Sequence, residues 1–199
     1  MDQSKALELI EPIASQLLDI QLLAYKEFDD CHPEPIRATV EGARPKWVHD
    51  RVCYHLDMAF GKAGPRRMKD HGGLKYLFVE GPDFNLGIRA KKLDADYRSY
   101  QHPSGQQDSL RQSGLFPDEV PTYHAILGYR DTGGLQPAIS HVVLTWEKTA
   151  DVEVIKVLWT ASEGRLPVRP IQINLPEPPP PKMRRKKRAD EGDKETGHA

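Results

Sequence analysis

The sequence predicts an α+β domain, a mainly antiparallel β-sheet with N-terminal helices packed on one face, followed by a disordered C-terminal tail. Three observations predict it. Apolar residues near the N-terminus recur at steps of three and four, the spacing of a single helical stripe. From residue 74 onward the apolar residues fall instead in short β-rich runs broken by Gly, Pro and Asp. After Leu175 the chain turns to PEPPPPKMRRKKRADEGDKETGHA, which has almost nothing to bury.

The first stripe is Ile10, Ile13, Leu17, Ile20, Ala24 and Phe28, within a helix expected over residues 5–28. Proline lacks the N–H that a helix interior needs, so Pro12 suits a first turn and the continuous helix is expected to begin near Glu11. Residues 1–34 carry eight acids and two bases. An acidic amphipathic helix beside a neutral body either packs its stripe on that body or offers it to a partner, and on the second reading Ile13, Leu17 and Ile20 are the partner contacts.

A second helix is expected from Pro45 to about Gly61, with Trp47, Val48, Val52, His55 and Met58 at helical spacing and glycines to stop it. GKAGPRRMKDHGG then reads as a glycine-bounded loop carrying Lys62, Arg66, Arg67 and Lys69. LKYLFVEG and FNLGIRAKKLD are two strands of a hairpin that turns at Gly-Pro-Asp. Residues 103–114 read as a short helix capped by Ser104, and YHAILGYRD, ISHVVLTWE and VEVIKVLWT read as three further strands. VRPIQINL reads as an edge piece, because Pro170 cannot donate to a ladder. Residues 122–160 leave no room for a crossover helix, which disfavours a parallel doubly wound fold. The chain thus divides into an acidic helix and linker (1–42), an α+β core (43–175) and a Pro-rich tail (176–199), basic and then acidic.

The 199 residues hold 28 Lys+Arg against 29 Asp+Glu. Seven of those bases and five of those acids lie in the tail, so the body carries 21 against 24. A dedicated nucleic-acid module is expected to be basic, and this body is not. Two cysteines are too few for a disulfide scaffold. No apolar run reaches the length of a membrane span, and MDQSKALELIEP lacks the layout of a signal peptide, so a cytoplasmic protein without membrane contact is expected.

Candidate chemistry centres on the end of the second hairpin strand. Arg89, Lys91, Lys92 and the following Arg98, with Arg66, Arg67 and Lys69 from the preceding loop and Lys186 and Lys187 from the tail, are cations suited to phosphates or to an acidic protein surface. The stretch GPDFNLGIRAKK at 81–92 resembles the core of the restriction-endonuclease-like nucleases. That resemblance implies Asp83 as a metal-binding acid, Lys91 as the lysine beside the phosphate, and Mg as the ion between them. Arg89 stands where the second acid of that pattern belongs, and Pro82-Asp83 also reads simply as the hairpin turn.

His49 and Cys53 are i, i+4 on the second helix and share a face. With Cys31, His32 and His55 they still lack a second ligand pair at zinc spacing, so no metal is expected there. Arg44 and His49 fit the Arg-x4-His spacing of HEPN-type ribonucleases, and Trp146 and Trp159 read as core. There is no P-loop, dinucleotide fingerprint, Gly-x-Ser-x-Gly elbow or kinase signature.

The run KKLDADYRSYQHPSGQQDSL at 91–110, then YHAILGYR at 123–130 and a tryptophan-bearing closing strand, is similar to a group of small bacterial and phage proteins. The matching positions are Lys91, Lys92, Asp94, Arg98, Pro103, Gln106, Gly128 and Tyr129, and the likeness spans roughly residues 45–160. The resemblance implies a partner, a helix-turn-helix regulator with a zinc metallopeptidase-like domain, and a toxin–antitoxin or phage-defence setting. The expected function is a non-enzymatic macromolecule-binding component acting through protein and nucleic-acid contacts. The alternative is a divergent metal-dependent nuclease.

Overall fold

The computed structural model describes residues 2–31, 43–71, 73–99, 120–132, 138–147 and 152–161. Helix α1 (Gln3–Ile10) passes through a 3-10 turn (Glu11–Ile13) into α2 (Ala14–Cys31). The helix starts ahead of its expected position because Asp2 caps it, its carboxylate accepting a hydrogen bond from the Ser4 backbone N–H at 3.0 Å. Pro12 does not start the helix. It tightens one turn to 3-10 geometry, and the same stripe continues on both sides. Helix α3 (Arg44–Phe60) has Pro45 in its first turn and ends at Gly61, whose φ of 62° favours glycine.

Six strands form one sheet in chain order: β1 (Arg66–His71), β2 (Leu74–Val79), β3 (Asn85–Lys92), β4 (Thr122–Asp131), β5 (Ile139–Glu147) and β6 (Val152–Thr160). All neighbours are antiparallel except β3 and β4, which run parallel from Asn85↔Thr122 to Lys92↔Tyr129. The long connection from Leu93 to Pro121 permits this, since a parallel return needs a crossover of a dozen residues or more.

Two expectations are corrected here. The segment read as a glycine-bounded loop contains strand β1, which pairs with β2 over all six of its residues. Its one buried apolar side chain, Met68, gives too short an alternation to show in the sequence, and its charges are those of an edge strand. The stripe offered as a partner surface is part of the core: Ile13 and Ile20 are 2% exposed and Leu17 0%. These side chains pack with Val48, Val52 and Leu56 of α3 against Leu77, Ile88, Leu127 and Leu144 of the sheet, so they are not available to another protein.

The helices thus cover one face of the sheet. Helix α3 is locked to α2 by Glu27, which accepts from Arg51 at 2.6 and 2.9 Å and pairs with His55 Nε2 at 3.0 Å. Arg51 also lies over the Tyr54 ring at 4.6 Å. On the opposite face Leu93, Ile126 and Val143 form a smaller cluster with Tyr97. Gly128 is required there: a Cβ at that position would lie 2.1 Å from Leu93 Cδ1. The turn that follows β3 closes on Asp94, whose carboxylate accepts from the Asp96 and Arg98 backbone N–H groups at 2.9 Å each. Among the described residues no helix is long and apolar enough to cross a membrane. The short helix expected at 103–114, the edge piece at 168–175 and the tail at 176–199 lie outside the described residues.

Candidate anion-binding cleft

The ladder between β2 and β3 has only three pairs, Leu77↔Ile88, Phe78↔Gly87 and Val79↔Leu86. Yet β2 begins at Leu74 and β3 runs on to Lys92, so the ladder joins only part of each strand. A cleft of about 800 Å³ lies at this end of the sheet, between one face of α3 and the ends of β2 and β3. Pro45, Lys46, His49, Asp50 and Cys53 line it from α3, Leu74 and Lys75 from β2, and residues 89–94 from the end of β3 and its turn.

Five cations reach this cleft, Lys46, Lys75, Arg89, Lys91 and Lys92, against two carboxylates, Asp50 and Asp94. Asp94 is engaged by its own turn, and Lys92 is paired with Asp131 at 2.7 Å. Among the described residues no carboxylate forms an ion pair with Lys46, Lys75 or Arg89. Ala43 gives the N-terminus of α3 no side-chain cap, so the positive end of the helix dipole adds to the field at Pro45 and Lys46. The site is therefore electropositive within a body that is net acidic.

Burial sets the protonation state of its titratable groups. Burial pushes the His49 pKa below its ordinary value, and the charges of Lys91 and Arg89 push the same way against Asp50, which lies 3.3 Å off. His49 is accordingly neutral near pH 7. Cys53 Sγ lies 3.8 Å from His49 Nε2, the shared helix face that the i, i+4 spacing anticipates. Burial raises the Cys53 thiol to about 11 despite the nearby Lys75, Arg89 and Lys91. A nucleophile would need the thiolate, and this environment holds the thiol. Behind His49, the fully buried Gln21 amide and the Tyr129 hydroxyl line a narrow recess. Neither finds a hydrogen-bond partner among the described residues.

Of the cations read from the sequence, Arg89, Lys91 and Lys92 meet in the cleft. Arg67 pairs with Glu80 at 2.6 Å, Lys69 lies 3.4 Å from the centroid of the Phe78 ring, and Arg66 is at the far end of β1, opposite Val79. Arg98 stands exposed in the turn, and Lys186 and Lys187 lie outside the described residues. Lys46 and Lys75 were not anticipated. Lys46 was legible as the i−3 neighbour of His49 on one helix face, whereas Lys75 joins the site only because the start of β2 lies beside the end of β3 and α3 in the folded chain.

The same geometry does not bring together Asp83 and Lys91, the two residues of the nuclease reading. Asp83 sits in the turn before β3, ion-paired with Lys5 at 2.6 Å, and Lys91 is eight residues farther along an extended strand. At about 3.3 Å per residue the two are roughly 26 Å apart and cannot serve one phosphate. Among the described residues no three His, Cys, Asp or Glu side chains gather as metal ligands. The Arg44 and His49 pairing fails similarly. Arg44 is buried, donates to the Tyr25 hydroxyl at 2.9 Å and lies over the Phe28 ring at 4.7 Å, tying α3 to α2 instead of facing a substrate. Trp159 is in the core and Trp146 packs against it, as expected. The chain matches no family model, no curated protein and no solved structure.

Proposed function

We propose that this protein is a non-enzymatic binding component that holds an anionic segment of a macromolecular partner in the cleft between α3 and the ends of β2 and β3. The observation that carries the reading is the convergence of Lys46, Lys75, Arg89, Lys91 and Lys92 on one cleft of about 800 Å³. A net acidic body does not produce such a cluster through general basicity. The setting we propose is a two-protein module of toxin–antitoxin or phage-defence type, with a helix-turn-helix regulator as partner. The sequence likeness supports that setting, because Lys91, Lys92 and Asp94 of its Lys-Lys-x-Asp element line the cleft and Gly128 and Tyr129 are their β4 neighbours.

The test uses the purified full chain and three fluorescent probes: polyglutamate, a short single-stranded oligonucleotide and a short duplex. At least one binds, with affinity that falls as salt rises. The double variant Lys75→Glu, Lys91→Glu weakens that binding roughly tenfold or more, about 1.4 kcal/mol. Failure of every probe to bind, or an affinity indifferent to both charge reversals, overturns the reading.

A further inference from the structure

The end of β6 lies near the cleft. Strands β3 and β6 run in the same direction, and the registers Lys92↔Tyr129, Tyr129↔Val142 and Val142↔Trp159 set Lys92 and Trp159 in one row across the sheet. Three strand spacings of about 4.8 Å put the two roughly 14 Å apart. The last described residue, Ala161, is two positions after Trp159. Residues 162–199 therefore set out from the end of the sheet that bears the cleft.

That stretch holds Asp190, Glu191, Asp193 and Glu195, four acids within six residues, and no other six-residue window outside the described residues is as acidic. Six bases between Lys182 and Arg188 precede it. The body carries 21 bases against 24 acids, so its surface at large attracts the basic block and repels the acidic one. The cleft is the exception. Lys46, Lys75 and Arg89 meet there, and among the described residues no carboxylate forms an ion pair with any of them. Between Ala161 and Asp190 stand 28 residues, whose contour of up to about 90 Å at about 3.3 Å each far exceeds the span to be crossed. A cleft of about 800 Å³ lies in the size range that small ligands fill, so it admits a short stretch of chain and not a folded domain. Tethering makes the docking intramolecular, so a contact too weak to hold two molecules together still fills the site.

We infer that the acidic segment at residues 190–195 of this chain docks in the cleft, and that an anionic partner gains the site by displacing it. This rests on the anion-binding role proposed for the same cleft and adds a competitor that every partner meets there. The test compares two isotopically labelled full chains by backbone NMR at low salt with no ligand added. One is the wild type. The other carries Asp190→Asn, Glu191→Gln, Asp193→Asn and Glu195→Gln, which keep the size of the segment and remove its four acidic charges. An unlabelled synthetic peptide of residues 189–195, and the same peptide with the four amide replacements, are then added to the variant. That arm alters only the peptide, so it does not depend on how the substitutions affect the protein.

The amides of Lys46, Leu74, Lys75 and residues 89–94 take different positions in the two chains, and added salt moves the wild type toward the variant. The acidic peptide moves the variant's cleft amides back toward their wild-type positions, and the neutral peptide does not. Cleft amides that coincide in the two chains overturn the docked segment; if polyglutamate still shifts them, the anion site stands. Differences that fade on dilution overturn docking within one chain and assign the segment to a second copy. Cleft amides that neither the acidic peptide, polyglutamate, a short single-stranded oligonucleotide nor a short duplex moves in either chain overturn both readings.

Discussion

Replacing Leu17 by Ala distinguishes a core helix from a docking helix. Leu17 is 0% exposed and packs in the main cluster between Ile13, Ile20 and the sheet, so the substitution removes a buried isobutyl group and leaves a cavity that fixed neighbours cannot fill. Such truncations cost about 2–5 kcal/mol. In a chain of this size each kcal/mol lowers the melting temperature by about 2–4 °C, so the fall should lie between roughly 4 and 20 °C. Leu17→Asp should be worse, because it places a carboxylate among apolar side chains with nothing to pair it. Leu22, only partly buried at the rim of the same cluster, should lose less on truncation to Ala. Circular dichroism melts of the three variants make the comparison. Wild-type melting temperatures for Leu17→Ala and Leu17→Asp would refute the packing assignment and return the stripe to the role of a partner surface.

Three further outcomes follow from buried groups. Gln21 is fully buried with both amide atoms unpartnered among the described residues, so Gln21→Met should raise stability by about 1–3 kcal/mol; a lower denaturation midpoint would show that the amide is satisfied in solution. Burial, with the Arg89 charge added, depresses the His124 pKa to about 4. The folded state binds this proton less readily than the unfolded one, so the contribution is intact above pH about 6.5 and is lost as pH falls toward about 4. A proton NMR titration of the imidazole should show a midpoint well below 5, and a midpoint near 6.5 contradicts the assignment. Cys31 is exposed while Cys53 is buried with its thiol raised to about 11, so iodoacetamide at neutral pH should modify Cys31 first. Peptide mass spectrometry reads this, and faster labelling of Cys53 opposes a closed helix–sheet interface.

Much of the fold was legible because its signals are local. The stripe from Ile10 to Phe28 and the capping pattern around α3 need only neighbours a few residues away, and β2 to β6 announce themselves as β-rich runs between turn residues. Strand β1 did not, because an edge strand of charged residues with one buried Met lacks an alternating pattern. The cleft was half legible for a related reason. Arg89, Lys91 and Lys92 are adjacent in sequence, but Lys46 and Lys75 reach them only through the packing of α3 and the start of β2 at the end of β3, a tertiary arrangement with no local signature. The Asp83 and Lys91 pairing erred by treating nearness in sequence as nearness in space, when an extended strand carries its two ends far apart.

The central claim is that the cleft between α3 and the ends of β2 and β3 is where this protein meets its partner. Backbone NMR of the labelled full chain, titrated with polyglutamate at low salt, tests it residue by residue. The account predicts shifts concentrated at Leu74 and Lys75, at residues 89–94, and along α3 from Lys46 to Cys53. Shifts centred instead on Arg66, Arg67 and Lys69 of β1, with the cleft amides unmoved, would contradict it.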